Sequence, residues 1–447
     1  MCYTDNKMAE REVRVMKYLI GLLLLCAIVL FHEFGHFIAA KACGVYVEEF
    51  AMGMGPTLLR YKSKSGTVYA LHLFPIGGFC AMKGENGENM DSDSFMAASC
   101  LKRIAIVAAG PFFNLLLAFV VGIFLVLSVG QDYAYVSTMN EVASEAGLQE
   151  GDRIVGFQGN HIGTSRELYV DEIFFDENIG ETVNLKVIRD GKKLNISYPV
   201  IHTTKYIVGM SSGEDEDGNL VVIRVLSDSA FEDVGMQAGD VITSINGVKS
   251  TKDKGLQSYF DDYPLDGSDV EIVYERDGVS HQIVVTPREK VLSETGFSYT
   301  VNREKHKNVL YDACVELEYD VHMVIRSLTG LLTGRFGFND LSGPVGIVKM
   351  VGDEYESAAE ETDVSVSKNL WVSLISMLVM ISVNLGIMNI IPLPALDGGH
   401  LLFLFIELIW RKPVSPKVEA RIHQVGFSLL MIFSCIIIMK DMFQYFI

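Results

Sequence analysis

Residues 31 to 40, FHEFGHFIAA, set His32, Glu33 and His36 inside an apolar run. The spacing H-E-x-x-H puts the two histidines four apart, about 40° in azimuth on an α-helix, so both imidazoles can reach one metal ion. Glu33 follows the first of them and is placed to take a proton from a water and return it to a leaving amine. Zn²⁺ lowers the pKa of a water it holds from 15.7 toward about 7, so the chemistry is peptide hydrolysis. The five-residue pattern alone also arises by chance in soluble helices. Its apolar setting sharpens it, because an ionisable group in a spanning helix costs roughly 2.5–3.5 kcal/mol and needs a partner or a polar cavity.

A catalytic zinc takes a third protein ligand and keeps a fourth position open. Residues 381 to 400, ISVNLGIMNIIPLPALDGGH, offer Asp397 after an apolar helix interrupted by Pro392 and Pro394. Prolines lack amide donors and free carbonyls that only a polar cavity tolerates at membrane depth. Gly398 and Gly399 permit close backbone approach, and Asp397 is the expected third ligand. The remaining polar residues receive plainer readings. His400 reads as a helix start or a solvent-facing residue, with a role behind Asp397 as the alternative. His72 has no partner visible in sequence, Glu407 faces the cytoplasm, and His161, His202, His281, His306, His322 and His423 read as surface residues.

These groups need helices to carry them through a bilayer. The 447 residues are 49% hydrophobic and 21% charged, with a mean hydropathy of +0.27, which points to membrane insertion. Four stretches reach the length of about 20 apolar residues that a spanning helix needs: roughly 15 to 40, 104 to 129, 370 to 393 and 425 to 447. The run from Leu401 to Trp410 is too short. The first stretch outruns a signal-peptide core and shows no small-residue cleavage site, so it reads as a retained helix.

Charge divides the chain further. Residues 131 to 368 hold 42 acidic and 21 basic side chains, leaving a net of +2 for everything else. A soluble acidic region is therefore inserted between the second and third spans, and its sign excludes nucleic acid as a partner. Lys and Arg in the loops between spans one and two and between spans three and four put those loops in the cytoplasm and both termini outside. The basic residues Lys7, Arg11, Arg14 and Lys17 oppose that orientation. Of seven cysteines only Cys314 lies in the inserted region, which excludes an intramolecular disulfide there.

Residues 45 to 82 alternate β-rich runs with glycine and proline punctuation and predict a hairpin. It either dips into the bilayer edge under protein cover or lies in the cytoplasm. The inserted region repeats itself: GLQEGDRIVGFQGNHI from Gly147 returns as GMQAGDVITSINGVKS from Gly235. A turn of this kind leading into a strand resembles PDZ domains, which take an extended peptide as an added strand. Packing on the membrane part to restrict access is the alternative. Between 302 and 333 a stripe of Leu310, Ala313, Leu317, Val321, Val324, Ile325 and Leu328 predicts an amphipathic helix, with Glu316, Glu318 and Asp320 off the stripe. It would lie along the membrane surface or on the PDZ pair.

H-E-x-x-H in the first span together with N-x-x-P-x-P-x-L-D-G-G at 389 to 399 resembles the site-2 proteases, the intramembrane zinc metalloproteases, and within them the PDZ-bearing RseP/RasP-type bacterial group. The resemblance extends over the chain through the β-loop, Gly110-Pro111 with Asn114, the PDZ insertion, Leu341-Ser342-Gly343-Pro344 and the Asn384 and Asn389 pair. The longer N-terminal tail and the acidic stretch from Asp353 to Asp363 depart from it. It implies a polytopic α-helical membrane protein of four transmembrane helices with a membrane-associated β-hairpin and an inserted extracytoplasmic tandem PDZ region. The corresponding parse is 1–130, 131–206, 207–290, 291–368 and 369–447.

The resemblance further implies His32, His36 and Asp397 as zinc ligands, Glu33 as base, Asn384 as a substrate-holding residue and Asn389 on the metal side. A scissile helix must unwind before its peptide bonds can be attacked, and an Asn amide and a strand edge near Gly53 and Gly55 could pair with the released backbone. An interhelical hydrogen bond is the alternative for Asn384. The implied substrate is a single-pass membrane protein in the bacterial inner membrane, an anti-sigma factor or remnant signal peptide already cut by a site-1 protease. A PDZ-bearing scaffold or quality-control adaptor with a structural zinc is the competing reading, and Glu33 speaks against it, since a structural site has no use for that carboxylate.

Overall fold

A computed structural model describes the chain apart from residues 1, 86–90, 174–180, 215–217, 227–228, 250–255, 257–258, 277, 305–307, 335–340, 342, 344, 351–364, 413 and 447. Ser342, Pro344, His306 and the acidic stretch 353 to 363 lie outside the described residues. Two compact units make up the chain: Met1–Tyr133 with Asn302–Ile447, and Ala134–Val301.

The first unit is helical. Helices α1 (Cys2–Cys43), α2 (Cys100–Val129), α3 (Val309–Leu332), α4 (Ser365–Ile390), α5 (Asp397–Trp410) and α6 (Pro416–Phe446) carry it. Four are long and apolar enough to cross a membrane, over Leu19–Cys43, Cys100–Val129, Trp371–Ile390 and Lys417–Met442. Each overlaps a stretch expected from hydropathy. With 14 residues, α5 stays short. Helix α2 lies against both α1 and α4, and apolar side chains of α1, α2, α5 and the hairpin, among them Val47, Met82, Ile106 and Leu401, form one core.

Helix α3 departs from the expected placement. Its Leu317, Val321 and Val324 pack on Ala118 of α2 and on Val379 and Val383 of α4, so within this unit it joins the helix bundle. Leu310 and Ile325, counted in the apolar stripe, are exposed, whereas Glu316 and Asp320 are buried. Periodicity assigns carboxylates to the wet face, and only tertiary partners can reverse that assignment.

Strands β1 (Val47–Lys62) and β2 (Val68–Met82) form an antiparallel hairpin whose strands bend. Residues 49 to 52 therefore have partners on two sides, Glu49 facing both Ala81 and Val68 and Met52 facing both Gly78 and Leu71. Segment 78 to 82 is left at the margin of this small sheet, with no second strand partner among the described residues. His72 has a partner after all: its Nδ1 lies 2.9 Å from the Gly55 carbonyl and binds the bend from inside the hairpin.

The second unit contains two similar β-rich modules. The strands Arg153–Phe157, Thr182–Arg189 and Lys192–Pro199 recur as Val241–Ile245, Val270–Arg276 and Val279–Val285, with equivalent pairing. Phe297–Glu304 completes the first sheet beside Gln131–Met139, a strand that the sequence reading assigned to the connector after 290. The repeated Asp of Gly-x-Gln-x-Gly-Asp has a physical cause. Asp152 is 1% exposed, takes the Gln149 amide at 3.0 Å and meets Arg189 at 2.6 Å through both carboxylate oxygens; Arg189 also reaches the Gly147 carbonyl at 2.7 Å. Asp240, Gln237, Arg276 and Gly235 repeat this arrangement at 2.6–2.9 Å.

Burial works to raise the Asp240 pKa, and the hydrogen bonds from Arg276 and Gln237 overcome it, holding the carboxyl below its ordinary range. A folded-state pKa below the unfolded one stabilises in full above the unfolded carboxylate value of about 3.9, and the gain is lost as pH falls through the lower folded value. Asp152→Ala and Asp240→Ala should each destabilise their own module by about 2 kcal/mol, since the arginine and amide hydrogen bonds to the buried carboxylate are lost while the part-exposed guanidinium keeps water. Hydrogen exchange of the full chain should show faster exchange in the mutated module alone, and the wild type should lose protection in the second module below about pH 4.

Candidate active site

Helix α1 brings His32 and His36 onto one face, as four-residue spacing requires, and turns that face toward α2. Both are nearly enclosed, 6% and 7% exposed. Their Nε2 atoms lie 3.2 Å apart. Asp397, the first residue of α5, brings its Oδ2 to 3.0 Å from the His32 Nε2 and 3.3 Å from the His36 Nε2. Four ligand atoms about 2.0–2.1 Å from a tetrahedral zinc stand roughly 3.3 Å from one another, so this trio has the dimensions of a zinc site. The Asp397 Oδ2 is buried and has no hydrogen-bond donor among the described residues, as suits an atom reserved for a cation.

The other ring nitrogens are held by α2. His36 donates from Nδ1 to the Ile106 carbonyl at 2.9 Å, which leaves Nε2 with a free lone pair for metal. The His32 Nδ1 meets the amide of Asn114 at 3.3 Å, and the Asn114 Oδ1 is buried without a partner among the described residues. Turning that amide by 180° presents Oδ1 to the His32 Nδ1–H and satisfies both groups. Asn389 of α4 reaches His32 Nε2 at 3.5 Å, and Ser382 of the same helix donates to the Asn114 carbonyl at 2.8 Å.

Close approach makes this arrangement possible. A Cβ on Gly110 would run into the His36 ring and stand 2.8 Å from the His32 Cε1, so only glycine lets the imidazoles rest on α2. Downstream, Pro392 and Pro394 stop the α4 ladder after Ile390, and Gly398 and Gly399 let the start of α5 pack against the carbonyls of Ile391 and Leu393.

Glu33 opens onto a cavity of about 620 Å³ shared with His36, Asp397, Glu85, Arg103, His400, Glu419 and His423 and with the backbone stretch 79 to 82. The Glu33 Cγ lies 3.4 Å from where a Gly78 Cβ would be. The strand beside the site is therefore the marginal segment 78 to 82. Gly53 and Gly55 serve the hairpin's own bend, with φ of +82° and +90°. Asn384 is exposed on α4 and makes no hydrogen bond among the described residues. Glu407 pairs with buried Arg103 and ties α5 to α2, where the sequence suggested an outward-facing carboxylate. Nor is His423 a surface residue: it is half-buried and accepts the Ala395 amide on Nδ1 at 3.0 Å. Contact between segments 28 residues apart leaves no signal in a single sequence.

Asp397→Ala should lower bound zinc well below one per chain by elemental analysis, because two imidazoles alone hold the ion weakly. Gly110→Ala should do so with all three side chains intact, and full zinc in Gly110→Ala would show that α2 does not set the imidazole positions.

Comparison with known proteins agrees with this geometry. Residues 20 to 433 match peptidase family M50. The regulator of sigma-E protease RseP of Escherichia coli K12 is 30% identical, the alignment covering 92% of this chain and 94% of that protein. The zinc metalloprotease RasP of Geobacillus kaustophilus is 29% identical over 94% of this chain and 96% of its own length, and the regulator of sigma-W protease RasP of Bacillus subtilis stands at the same figures. A match over nearly the whole length, joined to paired imidazoles, a carboxylate and a neighbouring glutamate, leads to one conclusion: this chain belongs to peptidase family M50 and is a zinc metalloprotease.

Proposed function

We propose that the protein is an intramembrane endopeptidase that cuts spanning segments of single-pass membrane proteins in regulated proteolysis. The observation that carries this reading is that His32, Glu33, His36 and Asp397 converge among helices apolar enough to span a bilayer, beside a cavity lined by polar groups. His32, His36 and Asp397 hold zinc. When bound, the ion supplies Lewis-acid polarisation and a water nucleophilic near neutral pH. Glu33 takes up the proton released in attack and delivers it to the departing amine. The Ile106 carbonyl and the Asn114 amide keep the imidazoles oriented throughout.

A spanning substrate hides its peptide groups in its own helical hydrogen bonds, so recognition has to replace those bonds as the helix unwinds. Segment 78 to 82 has the free edge and the position beside Glu33 to accept the released backbone as an added strand. Asn384, exposed on α4, is available to hold a substrate amide. The two β modules resemble PDZ domains and act as a size filter that excludes proteins not yet shortened by a site-1 protease. By charge distribution they lie outside the bacterial inner membrane, with the short basic loops in the cytoplasm. The names of the sigma-regulating relatives favour an anti-sigma factor as substrate, with remnant signal peptides as a second class.

Glu33→Gln should keep zinc and lose about 10²–10⁴-fold in cleavage of a transmembrane test substrate in detergent. Undiminished cleavage would overturn the mechanism. Removal of residues 134 to 301 should leave a zinc-loaded peptidase that also accepts uncut substrates. Loss of all peptidase activity in such a folded, zinc-loaded protein would count against the filter.

A further inference from the structure

Asp397 is delivered to the imidazoles by the turn 391 to 396, outside either helix ladder. The turn contains Ala395 at φ +80°, in the left-handed region that non-glycine residues seldom adopt. Something must hold it there, and the contacts come from α6. The Ala395 N–H donates to the His423 Nδ1 at 3.0 Å. One turn further along α6, Gly426 packs directly on Pro394, where a Cβ would collide. The His423 ring also stands 3.0 Å from the place of a Gly399 Cβ. One side chain thus touches the chain two residues before Asp397 and two residues after it.

His423 is itself fixed. Its ring stacks on His400 with centroids 3.8 Å apart and planes 12° from parallel, and the His400 Nδ1 meets the Glu419 Oε1 at 3.1 Å. These three side chains are close enough to suggest a second cation site. Their geometry speaks against it: an imidazole lone pair lies in the ring plane, and two nearly parallel planes give no common point about 2 Å from both nitrogens. The His423 Nδ1 is also already taken by Ala395. The cluster is built as a brace.

We infer that His423 is a positioning residue for Asp397: by accepting the Ala395 amide it fixes the left-handed turn that aims the carboxylate at His32 and His36. The inference rests on the reading of Asp397 as a zinc ligand. It assigns α6 a role at the active centre even though most of its described side chains face outward, with only Ile437 and Asp441 buried among them.

The test uses the full-length, zinc-loaded protein in detergent, with His423→Asn, His423→Gln, His423→Leu and Asp397→Ala side by side. Asn places Oδ1 where His carries Nδ1, whereas the Gln Oε1 corresponds to Nε2. Zinc release to a chelating dye and cleavage of a transmembrane test substrate are read together, with thermal unfolding as the control for folding. The Leu and Gln variants should release zinc about 10–100-fold faster, the scale seen when a partner behind a metal ligand is lost, and kcat should fall with little change in KM. The Asn variant should stay within about threefold of wild type by the same measure. Wild-type zinc release in the Leu and Gln variants, with Asp397→Ala depleted of zinc, would overturn the positioning role alone. So would an Asn variant as impaired as Leu, which would indicate ring packing in place of the hydrogen bond. Full zinc in Asp397→Ala would remove the ligand reading and the positioning role together.

Discussion

The structure depends on one electrostatic constraint: two imidazoles and two carboxylates are placed among helices that are otherwise mainly apolar. Each such group is costly alone at membrane depth. The cost falls when the groups converge, because a cation shared by His32, His36 and Asp397 would meet a site of opposite charge, and a polar cavity receives Glu33. The surrounding fold reads as the means of bringing these groups together while keeping lipid away. Helix α2 contributes most directly, with a glycine for room, a carbonyl for His36 and an asparagine for His32, all within about two turns.

That constraint explains which parts of the site were legible in sequence. His32, Glu33 and His36 share one helix, and local spacing defines their geometry. Asp397 could be found because it is expensive: an acid after two helix-breaking prolines needs a reason to be there. The groups that orient the ligands left weaker traces. Ile106 acts through its carbonyl, which is invisible in side-chain identity. Asn114 stood out in sequence only beside Gly110-Pro111, without a role. His423 resembled five other histidines until the turn at Ala395 was seen to end on its ring.

The same distinction holds for the fold. Hydropathy located four spans because their signal is the mean over some 20 residues, and small errors at the ends do not disturb it. It could not place α3, whose buried Glu316 and Asp320 contradict the stripe that made the helix recognisable. In the β modules the opposite happened. The repeated Gly, Gln and Asp were visible as a pattern, and the cause of the Asp emerged only when Arg189 and Arg276 arrived from strands 36 or 37 residues downstream to neutralise the buried carboxylates.

Rigidity and access are divided among the elements in a way that suits cutting a helix. Helices α1 and α2 hold the imidazoles, two of the three candidate ligands, by direct contact. The third, Asp397, follows a broken segment between α4 and α5, where missing amide donors loosen the backbone and α6 supplies outside support. That break also leaves room in the apolar interior for a polar cavity, bounded on another side by the unpaired margin of the hairpin. An unwound peptide needs both features at once, a wet space for its freed amides and a strand to take them up. In the proposed function, the irregular backbone that places Asp397 and the irregular hairpin that exposes segment 78 to 82 would answer one requirement, the replacement of helical hydrogen bonds inside a membrane.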